Sequence, residues 1–261
     1  MNDLIQMNRF SELHDDERIV FCKIDHVMED FRRVSTLPHK VVMLIMNGDY
    51  SFTPEILKHK PHNVKHIFAT NSTVYNNIVT PIPIGVENQF EPERKGHGMI
   101  NDGIFEKLPF LLGEEIVEPE IFEDKLYANF NINTNFFYRD LVKQICMISK
   151  NVNFEYGLTY RDYVKRMKEH LGVVSPTGNG LECIRTYEAL YLDCIPVCVG
   201  DQKKYEAIYN GIYKFLPIVF LSNPGELNNI QLVKSEINKV KNNSKELIDY
   251  EYWVEQILKK V

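Results

Sequence analysis

The residues best suited to chemistry lie in and after the turn Ser175-Pro176-Thr177-Gly178-Asn179-Gly180. Gly178 and Gly180 permit backbone conformations that other residues avoid, and they allow close approach to a ligand. The apolar run LGVVS precedes the turn and an amphipathic run follows it, so the turn joins a strand to a helix. Unpaired N–H groups and the positive dipole end of such a helix suit a phosphate. Arg185 and Glu188 are three apart and share a helix face. A guanidinium can clamp a diphosphate, and a carboxylate can accept hydrogen bonds from two ribose hydroxyls. The same residues also fit a plain tight turn and a solvated surface pair, with Glu182 as a further partner for Arg185. The turn is not a P-loop, since no Gly-Lys-Ser/Thr follows, and it lacks the third glycine of the dinucleotide fingerprint.

Short apolar runs alternating with amphipathic stretches read as parallel sheets covered by helices. In the first half, strands are expected at 18–24, 40–46 and 64–70, with an extended segment at 80–86. Helices are expected at 25–35 and 54–58, and Asn47-Gly48-Asp49 breaks the chain after the buried run KVVMLIM. The charged stretches EPERKGHG and GEEIVEPEIFED read as a linker or surface excursion, with a domain boundary near 115–124. In the second half, strands fall at 125–132, 151–156, 171–175, 195–199 and 217–221. Helices fall at 135–149, 159–169, 181–192, 202–209, 225–240 and 244–260. Phe137, Leu141, Ile145 and Ile148 have the spacing of one buried face. Right-handed crossovers place the five later strands parallel in one sheet. The expected fold is α/β, with two Rossmann-like domains facing a cleft. Residues 1–120 form the first Rossmann-like domain with the linker, and 121–261 the second, a doubly wound parallel sheet with the glycine turn at its carboxyl edge.

The segment SPTGNGLECIRTYEALYLDCIPVCVGD resembles the signature of the exostosin-like glycosyltransferases, SP-x-GNG-x-(D/E)-x-x-RT-(W/Y)-EAL-x-LG-C-IP-(I/V). Weaker similarity covers KLYANFNINTNFFYRDLV, IFATNSTVYNNIVTPIPIGVEN and MLIMNGDYSFTP. Tyr187 stands where Trp is common, Asp193 where Gly is usual, and Asn47 where some relatives have a more polar or histidine-containing loop. The resemblance implies a GT-B fold and sugar transfer from a nucleoside diphosphate. It implies that Ser175, Thr177, Gly178, Asn179 and Gly180 lie against the diphosphate. Arg185 would neutralise the departing charge, Glu188 would hold the ribose, and Arg139 would add a second cation. It also implies an inverting reaction without metal or resident cofactor, the donor being a UDP or GDP sugar and the acceptor a glycan or glycolipid hydroxyl. No Asp-x-Asp signal of the metal-dependent type occurs.

An inverting transfer needs a base on the first domain. Asp49, at the carboxyl end of KVVMLIM, is the first candidate; an Asp in such a turn also commonly bonds its own backbone. His26 after RIVFCKI is the second, and Glu87 after PIPIGV the third. Tyr50 suits either sugar stacking or core packing. Phe31-Arg32-Arg33 is the one hint of a lipid-facing patch.

The chain of 261 residues carries 30 Lys+Arg against 36 Asp+Glu, a net charge of −6, which disfavours a nucleic-acid coat. With 44% hydrophobic residues it can build a core, and no apolar run is long enough to span a bilayer. The acidic start MNDLIQMNRFSELHDDER does not read as a secretion signal. Cys22, Cys146, Cys183, Cys194 and Cys198 lack CxxC spacing and read as buried thiols of a cytoplasmic protein. Two other readings stay open, a different nucleotide-using Rossmann enzyme and a non-catalytic scaffold of this fold.

Overall fold

A computed structural model describes residues 4–89 and 103–261. The stretch EPERKGHG lies outside the described residues. The chain opens with a 3-10 helix (Met7–Asp15), then β1 (Ile19–Lys23), α1 (Val27–Ser35), β2 (Val41–Met46), α2 (Pro54–Leu57), β3 (Val64–Ala69) and β4 (Val79–Pro81). These four strands form one parallel sheet in the order β1-β2-β3-β4. All six residues of β2 are buried, as expected of a strand covered on both faces. One face packs against α1 through Phe31 and Val34. Phe31 is thus core, and Arg33 is held by Asp30 at 2.7 Å, so the hinted lipid-facing patch does not form.

Next come α3 (Ile104–Leu111), β5 (Glu123–Ala128), α4 (Phe136–Ile148), β6 (Val152–Phe154), α5 (Tyr160–Lys168), β7 (His170–Pro176), α6 (Ile184–Tyr191), β8 (Pro196–Val199), α7 (Gln202–Gly211), β9 (Val219–Leu221), α8 (Ile230–Val240) and α9 (Tyr250–Leu258). The five later strands are parallel in the order β6-β5-β7-β8-β9, so the chain winds outward in both directions from β5 and β7. Helices α4 and α8 cover one face, and α5, α6 and α7 the other. This is the doubly wound sheet expected, and the two parallel sheets make the paired Rossmann-like architecture.

Two helices depart from their neighbours in sequence. Helix α3 precedes the expected boundary, yet Ile104, Phe110 and Leu111 join the core built from Tyr127, Tyr160 and Tyr163. Helix α9 follows the second sheet but packs on the first: Tyr250, Trp253 and Ile257 cluster with Phe21, Leu44 and Phe68. Apolar periodicity reveals that a helix has a buried face but not which sheet receives it. Helix α4 carries the clearest correction. Val142 and Cys146 face the core, while Phe137 is 89% and Ile148 79% exposed. The stripe Phe137–Leu141–Ile148 faces away from the sheet, because the buried face of this helix includes Arg139, a residue no apolar pattern would select.

Trp253 stacks edge-on against Phe68, with ring centroids 6.3 Å apart, and donates from Nε1 to the Leu247 carbonyl at 2.9 Å. Trp253→Ala is expected to cost about 3–5 kcal/mol in urea unfolding, the range for removing a buried large aromatic side chain. A loss under about 1 kcal/mol would show that α9 is not docked on the first sheet.

Candidate active site

The carboxyl ends of both sheets point into one cleft of about 860 Å³. Ligands bind at such ends in open parallel sheets. From the first half, β1 supplies Asp25, β2 supplies Asn47, Gly48, Asp49 and Tyr50, β3 supplies Asn71, and the segment after β4 supplies Glu87 and Asn88. From the second half come Arg139, Gly178, Asn179, Gly180, Glu182, Cys183, Arg185 and Glu188.

The turn carrying Asp49 is held by asparagines. Asn47 adopts φ 56, bonds through its amide to Asn8, and accepts from Asn88 at 3.3 Å; Asn88 in turn accepts from the Asn8 amide at 2.8 Å. A Cβ on Gly48 would sit 2.2 Å from Ile24 Cγ2 and 2.7 Å from Asp25 Oδ2, so this close approach requires glycine. Asp49 is exposed and accepts from Asn179 Nδ2 at 3.1 Å, which joins the first base candidate to the glycine turn of the other half. Tyr50 is 68% exposed, so the core-packing alternative does not hold. Glu87 lines the cleft, but His26 is not among the lining residues; it lies half exposed, 3.9 Å from Glu29.

The opposite wall is built around α6. Strand β7 runs through Ser175 and Pro176, and the helix begins only at Ile184, so the loop is longer than expected. Ser175 and Thr177 do not line the cleft. The Ser175 hydroxyl bonds that of Thr186 at 2.8 Å inside the core, and Thr177 Oγ1 accepts from Asn135 at 2.8 Å. Arg139 donates from Nε to the Thr177 carbonyl at 2.8 Å, from another nitrogen to the Asn131 carbonyl at 2.8 Å, and to Cys183 Sγ at 3.4 Å. Three of its five N–H groups therefore shape the loop, leaving two for a ligand. Burial pulls the Arg139 pKa down, partly offset by Cys183. The helix N-cap is Cys183, which makes no side-chain cap; Thr186 N–H donates to the Cys183 carbonyl at 2.9 Å, and Cys183, Ile184 and Arg185 line the cleft at this helix start. Arg185 Nε has no hydrogen-bond partner among the described residues. Burial disfavours the Arg185 charge, but Tyr163, Cys183 and Glu188 outweigh it.

Three further residues shape the cleft, and sequence reasoning did not find their roles. Lys107, on α3, lies 2.8 Å from Glu188 and 2.6 Å from Glu87. Burial works against its ammonium, but Glu188 and Glu87 prevail and its pKa is raised. Glu188 is thus available to a ribose only through what Lys107 leaves of it. Asn71 and Glu182 form a reciprocal pair across the halves: the Asn71 amide donates to the Glu182 carboxylate at 3.2 Å, and the Glu182 amide to Asn71 Oδ1 at 2.9 Å. A Cβ on Gly180 would lie 2.6 Å from the Asn71 side chain, which explains that glycine. No local signal marks Lys107 or Asn71, because Glu188 and Glu182, their partners in the other half, are 81 and 111 residues away. None of the five cysteines is in a disulfide; four are buried and Cys183 is half-buried in the cleft wall.

No family model and no curated protein matches the chain. Among solved structures it is similar to UDP-GlcNAc 2-epimerase from Methanocaldococcus jannaschii, with TM-score 0.39 and 13% identity, over 97% of this chain and 80% of that one. It is also similar to the DNA modifying enzyme β-glucosyltransferase, with TM-score 0.35 and 12% identity, over 95% and 79%. At these scores the likeness carries no reading of the site, which rests on its own residues.

Burial pushes the Glu182 carboxyl up to about 7, although Tyr187 and the Asn71 amide bond it. Its unfolded value is near 4.5, so between the two the folded state holds a proton the unfolded state has lost. Stability should therefore fall as pH rises from about 4.5 to 7, by on the order of 3 kcal/mol at 1.36 kcal/mol per unit. Glu182→Gln should flatten that slope in urea unfolding across this window. An identical slope in variant and wild type would refute this account of Glu182.

Proposed function

We propose that the protein is a glycosyltransferase that moves a sugar from a nucleoside diphosphate to an acceptor hydroxyl. The carrying observation is that the uncapped start of α6, the Gly178–Gly180 turn, Arg139 and Arg185 share one cleft wall, while Asp49 and Glu87 share the other. Cations and oriented N–H groups stabilise the charge that develops on a departing diphosphate. A carboxylate across the cleft can take the acceptor proton while the diphosphate leaves from the opposite face of the sugar, which inverts the anomeric carbon. Asp49 is the better base, being exposed at the cleft, whereas Glu87 is bound by Lys107. Glu188 would accept from the ribose. The exostosin-like signature over 175–201 supports the same assignment, and its Arg185 and Glu188 line the cleft. The acceptor is a glycan or glycolipid, and no helix among the described residues is long and apolar enough to cross a membrane.

The test is a thermal-shift panel of UDP, GDP, CDP, their common sugar conjugates, NAD and S-adenosylmethionine. A ligand at 100 times its Kd should add about 2.7 kcal/mol of stability. A nucleoside diphosphate should raise the Tm of the wild type and not of Arg185→Ala. Asp49→Asn should keep that shift and lower sugar turnover by roughly 100-fold or more. Stabilisation by NAD or S-adenosylmethionine alone would overturn the reading.

A further inference from the structure

Glu87 and Glu188 come from opposite halves and meet on one ammonium. Lys107 Nζ lies 2.6 Å from Glu87 Oε2 and 2.8 Å from Glu188 Oε1. The side chains of Lys107, Glu87 and Glu188 are 21%, 15% and 6% exposed, so water competes little for any of them. The ammonium also stands 5.6 Å from the centroid of the Tyr160 ring, a cation over an aromatic face. Ile104, Phe110 and Leu111 pack the Lys107 helix into the core, so the ammonium rides on a fixed element. An ionised carboxylate accepts at both oxygens. Lys107 takes Oε1 of Glu188, and Oε2 has no hydrogen-bond partner among the described residues. That second oxygen is what Glu188 keeps for a ligand in the cleft it lines.

Resting on the proposed donor site, we infer that Lys107 is a positioning residue for the donor's ribose, and that Glu87 serves donor binding by holding Lys107 rather than by taking the acceptor proton. Without the ammonium, the two carboxylates would face each other across the space it fills. Like charges that close do not both stay ionised, and a protonated Glu188 would lose acceptor capacity toward a ribose. Lys107 removes that conflict. Its compact charge and three rotatable donors let it serve two carboxylates at once. Glu87 draws the ammonium toward the first half, so that it covers one oxygen of Glu188 and leaves the other. With Glu87 neutral, the ammonium would settle on Glu188 and compete with the ribose hydroxyls. The ribose contact on the second half is therefore completed by a carboxylate of the first.

The experiment is calorimetric titration of UDP, GDP, their 2′,3′-dideoxy analogues and inorganic pyrophosphate into the wild type, Lys107→Met, Lys107→Arg and Glu87→Gln. The wild type should bind the ribonucleotide roughly tenfold or more tightly than its dideoxy analogue, the scale of hydrogen bonds to a charged group. Lys107→Met and Glu87→Gln should each lose roughly fivefold or more of that preference, with pyrophosphate affinity held within about threefold. Lys107→Arg, which keeps the charge, should retain it. Unliganded melting curves check that the variants fold, and Glu87→Gln, which changes charge but not size, carries the test if Lys107→Met does not. A preference untouched by Lys107→Met or by Glu87→Gln would overturn the role given to that residue. Equal loss of nucleotide, dideoxy analogue and pyrophosphate would show a structural role alone and overturn the inference, leaving the donor reading standing. Failure of both nucleotides and of pyrophosphate to bind the wild type would overturn both.

Discussion

The reciprocal hydrogen bonds between Asn71 and Glu182 fix how the two halves meet. Asn71 follows β3 in the left-handed region, at φ 50, and points its side chain at the loop before α6. Both residues are only 4% exposed, so neither has water as an alternative partner. Removing either would leave a buried polar group unsatisfied. The contact also brings Gly180 against Asn71, which sets how far the glycine turn stands from the opposite wall. Asp49 and Asn179 meet across the same junction, at 3.1 Å.

Within that frame the charges are sorted by position. The wall at the start of α6 is positive, through Arg139, Arg185 and the helix dipole. Arg139 holds its place by bonding backbone carbonyls, so its charge is oriented before any ligand arrives. That preorganisation is what makes such a group effective against a developing negative charge. Lys107 serves the opposite need. It comes from a helix outside both sheets and pairs with both Glu87 and Glu188, tying a carboxylate of each wall to one ammonium.

Strand positions were legible because runs such as KVVMLIM and IPVCV have no other way to be buried. The glycine turn, Arg185 and Glu188 were legible because they lie close together in sequence and their chemistry is local. Asp193 shows what a single residue can reveal: it adopts φ 61 at the end of α6, where the resembling family has Gly. Lys245 bonds both its carboxylate and the Leu190 carbonyl, which supports the end of the helix. Long-range pairs were not legible. Nothing near Lys107 announces Glu188, and nothing near Trp253 announces Phe68. The apolar spacing of α4 misled for a related reason. A buried guanidinium with three partners replaced the expected greasy stripe, and Phe137 and Ile148 turned outward.

The back of the cleft and its mouth differ in what opening would cost. At the back, Leu4, Ile84 and Val86 share one apolar cluster with Tyr187 and Ile248, and Ile5 donates to the Tyr191 hydroxyl at 2.8 Å. Parting the halves there would expose apolar surface and strand buried polar groups. At the mouth, the Asp49–Asn179 bond joins two exposed side chains. Water can replace such a bond at little net cost.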